Sequence, residues 1–203
     1  MNYSRLIFSL KFNLIIILLI SVNTFHSQAA IQQLRVLEGG KTQFTAIGKP
    51  AMLRISGVGS GPSGFFKIDT NNYLSGEVTV NLSTLQSGIE LRDEHMKKNY
   101  LQTENFPSAK LSIQDLNLDS EANPINIKSP INGKNFKGQL TLHGVTKPVE
   151  GTFAMVPQSE ENKITIKASY SLNLSDYNID IPSYMGIKVA DKVNVESVFD
   201  ITK

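Results

Sequence analysis

Apolar and polar residues alternate along most of this chain, and the alternation is clearest from Phe136 to Phe153. Phe136, Leu140 and Leu142 share one face, while Lys137, Gln139, Thr141 and His143 share the other, which is the period of a half-buried strand. Gly144 supplies a permissive turn position, Pro148 removes a ladder donor near the start of the return run, and Val149, Gly151 and Phe153 resume the alternation. The segment predicts a hairpin with one apolar face. The same period recurs at Tyr73 to Leu82, where Val78, Val80 and Leu82 oppose Glu77, Thr79 and Asn81, and at Ala109 to Leu116, with Leu111 and Ile113 on one face. Ile164, Ile166, Ala168, Tyr170 and Leu172 form the longest perfect alternation, and Val193, Val195, Phe199 and Ile201 form the last, interrupted by a polar Ser197. Three short strands are expected earlier, near Gln32 to Leu37, Thr42 to Ile47 and Met52 to Ser56.

One helix breaks the series. Leu91 to Leu101 has acids early and lysines late, the order that suits a helix dipole, and Leu91, His95, Met96 and Tyr100 recur at helical spacing. About eight antiparallel strands, each with one apolar face, must stack as two sheets or close on themselves, because open edges invite aggregation. The expected class is all-β, a single antiparallel barrel or sandwich with one short helix. A barrel of about eight strands is just wide enough to be filled by side chains or to hold one slender ligand.

The first 29 of the 203 residues read differently. Arg5 and Lys11 precede an apolar core from Phe12 to Val22, and Ser27-Gln28-Ala29 has the small residues of a cleavage site. The expectation is a cleaved export signal at 1–29, a single domain at 30–203, a periplasmic or secreted product and no stable membrane insertion after cleavage, since so short a core falls below the ~20 residues of a spanning helix. Removing 1–29 takes away two bases and no acid, leaving 18 bases against 18 acids. That balance disfavours a nucleic-acid partner, which requires clustered bases. With no cysteine in the chain there is no disulfide framework and no thiolate metal site.

Candidate chemistry is sparse. His95 and His143 are the histidines left after residue 29, too few to suggest a metal, and no cofactor is expected; a structural role such as bonding a turn carbonyl is the simpler reading. No GxSxG elbow is present, and Asp93-Glu94 is accounted for by its early-helix position. Gly59 to Gly64 formally spells GxGxxG, but Phe65-Phe66-Lys67-Ile68 after it is strand-like, so Gly57 to Gly64 is expected to be a flexible loop. Asp119 to Pro124 reads as an exposed polar loop. Arg92 stands between two readings, a bidentate partner for a phosphate and an ordinary surface ion pair. No catalytic residue is assigned.

The apolar faces carry the remaining signal. Val78, Val80, Leu111, Ile113, Phe136, Leu140, Leu142, Phe153, Ile164, Ile166, Tyr170 and Val195 are either packed core or the wall of an apolar pocket, and Gly76, Gly138, Gly151 and Ala168 at inward-type positions would leave room along the axis. Pattern alone favours solid core.

Arg92-Asp93-Glu94-His95, then Tyr100-Leu101 through Phe106-Pro107-Ser108-Ala109, then Gly138-Gln139-Leu140-Thr141-Leu142-His143-Gly144-Val145-Thr146-Lys147-Pro148-Val149 resemble the YceI-like family in order and separation. Leu174 to Ile179 and Val189 to Val193 add a weaker match. The family usually opens with a histidine-bearing strand, and this chain has no histidine between Ile31 and Asp69. The resemblance implies a lipocalin-like barrel, exported to the periplasm, that binds a long polyisoprenoid or similar amphiphilic lipid, and it turns the twelve apolar residues into a pocket wall. Arg92, His95 and His143 then become head-group candidates. The alternative from another class is a filled barrel that acts as a structural or interaction protein of the cell envelope through loops at Gly57–Gly64 and Leu174–Val189; an enzyme acting on a lipid or small molecule is a third.

Overall fold

A computed structural model of the chain describes residues 31–50, 52–118, 130–160, 162–184 and 186–203. The expected export signal and the Asp119–Pro124 loop lie outside those residues. The strands are β1 (Gln32–Val36), β2 (Lys41–Lys49), β3 (Leu53–Ser60), β4 (Ser63–Ile68), β5 (Tyr73–Asn81), β6 (Ser108–Asn117), β7 (Ile131–Leu142), β8 (Val145–Pro157), β9 (Lys163–Asn173), β10 (Ser183–Tyr184), β11 (Ile187–Val189) and β12 (Lys192–Thr202), with helix α1 (Glu90–His95) between β5 and β6.

The N-terminal third corrects the sequence expectation of three short strands and a glycine loop. Gln32 opposes Ile68, Arg35 opposes Phe65, Lys41 opposes Ser60 and Gly48 opposes Leu53. These are successive rungs of one long hairpin: β1 and β2 form its first arm, β3 and β4 its second, and both bend where Gly40 meets Gly61. The Gly61 amide donates to the Gly40 carbonyl at 2.7 Å. A Cβ on Gly61 would sit 2.5 Å from the Gly40 carbonyl carbon, so the close approach requires glycine. Gly57 to Gly64 is therefore strand bent at Gly61-Pro62.

With each arm counted as one strand, the sheet closes into an eight-stranded antiparallel barrel in chain order, β12 pairing back onto β1 through Val36↔Ile201 and onto β2 through Thr45↔Asn194. Closure removes the open edges that a flat sheet of this length would leave. The β7–β8 hairpin turns on His143 (φ 51°) and Gly144 (φ 75°), both left-handed as a two-residue hairpin turn demands.

Up-and-down order sorts the connections into two ends. The tip at 49–52, the α1 segment, the 143–144 turn and the 174–191 segment fall at one end, called the mouth. The turns at 69–72 and 158–162 and the start of β1 fall at the other, the base. At the base Leu34, Val36, Ile68, Leu118 and Ile164 are buried, and the Phe66 and Phe199 rings stack above them at 6.3 Å. At the mouth, β11 takes over from β12 as the neighbour of β2 (Lys188↔Lys49) and carries β10 with it. β2, β3, β10 and β11 thus prolong the wall as a flap.

Candidate functional site

Between mouth and base lies a cavity of about 660 Å³, within the ~300–1,000 Å³ range of small-molecule pockets. Its wall comes from inward positions of every strand of the barrel except β1. Of the twelve apolar residues singled out in the sequence, Val78, Val80, Leu111, Ile113, Phe136, Leu140, Leu142, Phe153, Ile166, Tyr170 and Val195 line it. Ile164 does not: it is 7% exposed and belongs to the packed base, one inward position below Ile166.

Three cross-strand pairs explain how the wall stays thin. Phe44 opposes Gly57, Phe66 opposes Gly76 and Phe136 opposes Gly151. A Cβ on Gly57 would lie 2.6 Å from Phe44 Cζ, one on Gly76 2.5 Å from Phe66 Cδ1, and one on Gly151 2.7 Å from Phe136 Cε1. Gly76 and Gly151, which the sequence suggested would leave room along the axis, instead each receive a ring laid across them, as Gly57 does. A ring lying against the wall in this way occupies less of the lumen than one standing upright.

Thr42 and Ser197 are the buried polar residues among those described, and both face this apolar interior. They are 5% and 8% exposed and are hydrogen bonded through their hydroxyls at 3.0 Å. The polar intruder of the last strand is therefore half of a pair whose partner stands on β2. Each hydroxyl satisfies the other, which avoids the cost of a buried orphan. Burial pushes the Tyr170 phenol well up from its usual range, so this inward ring stays neutral.

The cavity opens at the mouth. Leu53, Ile89 and Leu91 line it while being 48%, 54% and 51% exposed, whereas Leu74, Phe66, Met155 and Ile201 line its lower part and are buried. α1 lies across this opening, followed by a wider π turn over Met96–Tyr100 closed by Leu101 N–H donating to the Met96 carbonyl at 2.8 Å. The helical segment thus runs to Tyr100, as its spacing predicts, and Leu91, His95, Met96 and Tyr100 all face the cavity. Its start is pinned by Ser87. The Ser87 amide donates to Asp93 Oδ1 at 2.7 Å, its hydroxyl makes a very short bond to the same oxygen, and Arg92 Nε and Nη2 donate to the Ser87 hydroxyl and carbonyl at 2.6 and 2.8 Å. For Asp93, burial raises the pKa but is outweighed by the Ser87 bonds, the Lys97 charge and the Gly88 amide, leaving it below the usual carboxylate value.

Arg92 and His95 line the cavity at its rim. His143 does not. Its Nδ1 lies 3.2 Å from the Tyr177 carbonyl and its ring centroid 4.3 Å from that of Phe106, so it ties the β7–β8 turn to the segment after β9. Its Nε2 is buried without a protein partner among the described residues. Among those residues no three His, Cys, Asp or Glu side chains gather as a metal site, and no helix is long and apolar enough to cross a membrane.

Known proteins with this architecture agree in fold. A polyisoprenoid binding domain from Saccharophagus degradans, implicated in plant cell wall breakdown, superposes with a TM-score of 0.60 at 13% identity, covering 83% of this chain and 97% of that one. BcnA of Burkholderia cenocepacia gives 0.59 at 16% identity, over 78% and 95% of the two chains. In sequence, a UPF0312 protein of Enterobacter sp. (strain 638) is 28% identical over 123 residues, 57% of this chain and 58% of the relative. A UPF0312 protein of Photorhabdus laumondii is 27% identical over 122 residues, with the same coverage. The match thus spans somewhat over half the length of these curated relatives. The family model for the YceI-like domain matches residues 25–201, which takes in the whole barrel from before β1 to within one residue of the end of β12; with the closed barrel and its single short helix already in place, this chain belongs to the YceI-like family.

Proposed function

We propose that this protein is an exported carrier that sequesters a long-chain polyisoprenoid or similar amphiphilic lipid in its lumen and catalyses no reaction on it. The observation that carries the reading is a 660 Å³ cavity, almost wholly apolar, closed at one end and open at the other. A dry apolar cavity of this size is costly to leave empty, because its lining forfeits packing contacts. An isoprenoid chain would restore them, with about 25 cal/mol for each Å² of apolar surface removed from water. The polyisoprenoid binding ascribed to the Saccharophagus degradans domain supports the class of cargo. The leader-like residues 1–29 and the family support a periplasmic location.

In this reading the lipid tail lies against Val78, Val80, Leu111, Ile113, Phe136, Leu140, Leu142, Phe153, Ile166, Tyr170 and Val195, and the head group stays at the rim near Arg92 and His95. Arg92 spends Nε and Nη2 on Ser87, which leaves Nη1 to meet a head-group oxygen. Ile164 and His143 take structural parts. The test is uptake of a polyprenyl lipid dispersed in detergent, scored by co-elution. Phe153→Arg and the lumen-filling Ala168→Phe should each cut uptake at least tenfold while circular dichroism shows an intact barrel, and His143→Ala should retain most of it. Undiminished uptake in folded Ala168→Phe would sink the lumen as the binding site, and a hydrolytic activity lost with His143→Ala would sink the non-catalytic reading.

A further inference from the structure

The flap at the mouth differs in charge from the rest of the molecule. Residues 30–203 carry equal numbers of acids and bases, yet no acid occurs between Glu38 and Asp69 or from Pro182 to Val189. Lys49, Arg54 and Lys188 share one face of the flap there, because Lys49 pairs across to Lys188 and Arg54 pairs with Ile47, two residues before Lys49 on β2. Beside them the hairpin tip exposes Met52 and Leu53, at 67% and 48%. Exposed apolar residues at a tip, flanked by bases with no acid on the same strands, have the composition that settles into the headgroup layer of an anionic bilayer. The acids that flank β10 and β11 in sequence, Asp180 and Asp191, stand just outside these strands; Asp191, which follows the Ala190 amide that donates to the Ile47 carbonyl at 2.6 Å, turns its carboxylate onto Ser175, and on α1 the carboxylate of Asp93 is turned onto Ser87.

From this juxtaposition we infer that the flap docks the protein reversibly on an anionic lipid surface, Met52 and Leu53 entering the interface and Lys49, Arg54 and Lys188 meeting lipid phosphates. Leu53 also lines the cavity, so the docked tip and the opening share a residue. A lipid chain leaving the bilayer would pass from membrane to lumen over Leu53 and Ile89 without crossing open water. The inference rests on the lipid-carrier reading for its purpose, though not for its test.

The experiment is flotation of the purified protein with vesicles of phosphatidylcholine alone or with about 30% phosphatidylglycerol, at low and high salt. Uptake of detergent-dispersed polyprenyl lipid is measured on the same samples. The wild-type protein should float with the anionic vesicles only, and high salt should release it. Lys49→Glu/Arg54→Glu/Lys188→Glu should weaken binding about tenfold or more. Met52→Ser should weaken it severalfold, with both variants keeping wild-type melting and the Met52 variant, whose side chain stands outside the cavity lining, also keeping uptake from detergent. Absence of the wild type from anionic vesicles, or variants that float as well as it does, would overturn docking. Vesicle binding without any uptake from detergent would leave docking standing and overturn the carrier reading instead.

Discussion

The base and the mouth of this barrel are built from the same eight strands and differ in how their inward positions are filled. At the base, Leu34, Ile68, Leu118 and Ile164 converge and exclude solvent, leaving Leu34 and Ile68 each 1% exposed. One to three inward positions higher, rings folded over Gly76, Gly57 and Gly151 keep the centre open, and at the rim Leu53, Ile89 and Leu91 face both cavity and solvent. The difference teaches that one sheet divides its labour along the axis. The lower third supplies core stability, and the upper part is free to hold a volume that packing alone would not tolerate.

That division makes the sharpest prediction a contrast in stability. Leu34→Ala should cost about 2–5 kcal/mol in urea unfolding, since it empties a filled base, whereas Val195→Ala beside the cavity should cost about 1 kcal/mol or less. Equal losses would mean that the lumen is as tightly packed as the base. Next in size is the hydroxyl pair. Ser197→Ala leaves the Thr42 hydroxyl buried and alone and should cost about 1–3 kcal/mol, while Thr42→Val/Ser197→Ala together should recover most of it; no recovery would mean that the pair's bond is not what stabilises it.

The smallest effect concerns the mouth and is read by pH. Asp191 accepts bonds from the Ser175 hydroxyl and amide, at 2.5 and 2.9 Å. Those two bonds, helped by the Leu174 backbone and outweighing a slight burial that acts the other way, hold its carboxyl below the ordinary value. A depressed folded-state pKa contributes stability above the unfolded value of about 3.9 and loses it as pH falls through the folded one. Amide exchange at 174–191 should therefore rise on acidification below about pH 4, and Asp191→Asn should flatten that rise without changing exchange at the base. Leu91→Ala, half exposed at the rim, should move stability by no more than about 0.5 kcal/mol.

The sequence made the base and wall legible wherever apolar residues alternate with polar ones, because period two reports which face a residue takes. The alternation puts Ile164, Ile166 and Tyr170 on one face, and in the barrel they share it. Period two does not report depth along the axis, so Ile164 in the plug could not be told from Ile166 at the cavity. Nor does it survive glycine. Gly57-Val58-Gly59-Ser60 lacks the apolar face that marks a strand, and its partner Phe44, which supplies the missing bulk, lies on the other arm. Ser197 read as an intruder because the hydroxyl that satisfies it, on Thr42, is 155 residues away. For His143 the sequence supports a structural role such as bonding a turn carbonyl, and its contact with the Tyr177 carbonyl fits that reading, but only the fold shows that it sits in the turn itself and outside the cavity. The flap escaped altogether, since its charge asymmetry emerges only when β11 comes to lie beside β2.

The central claim is that the upper lumen holds a lipid, and native mass spectrometry of gently purified protein, followed by organic extraction, tests it most directly. The account predicts a stoichiometric adduct that extracts as a long-chain isoprenoid or similar lipid and is absent from Ala168→Phe. A bare protein mass that stays unchanged after incubation with polyprenyl lipids would contradict it and would return the barrel to the class of interaction proteins.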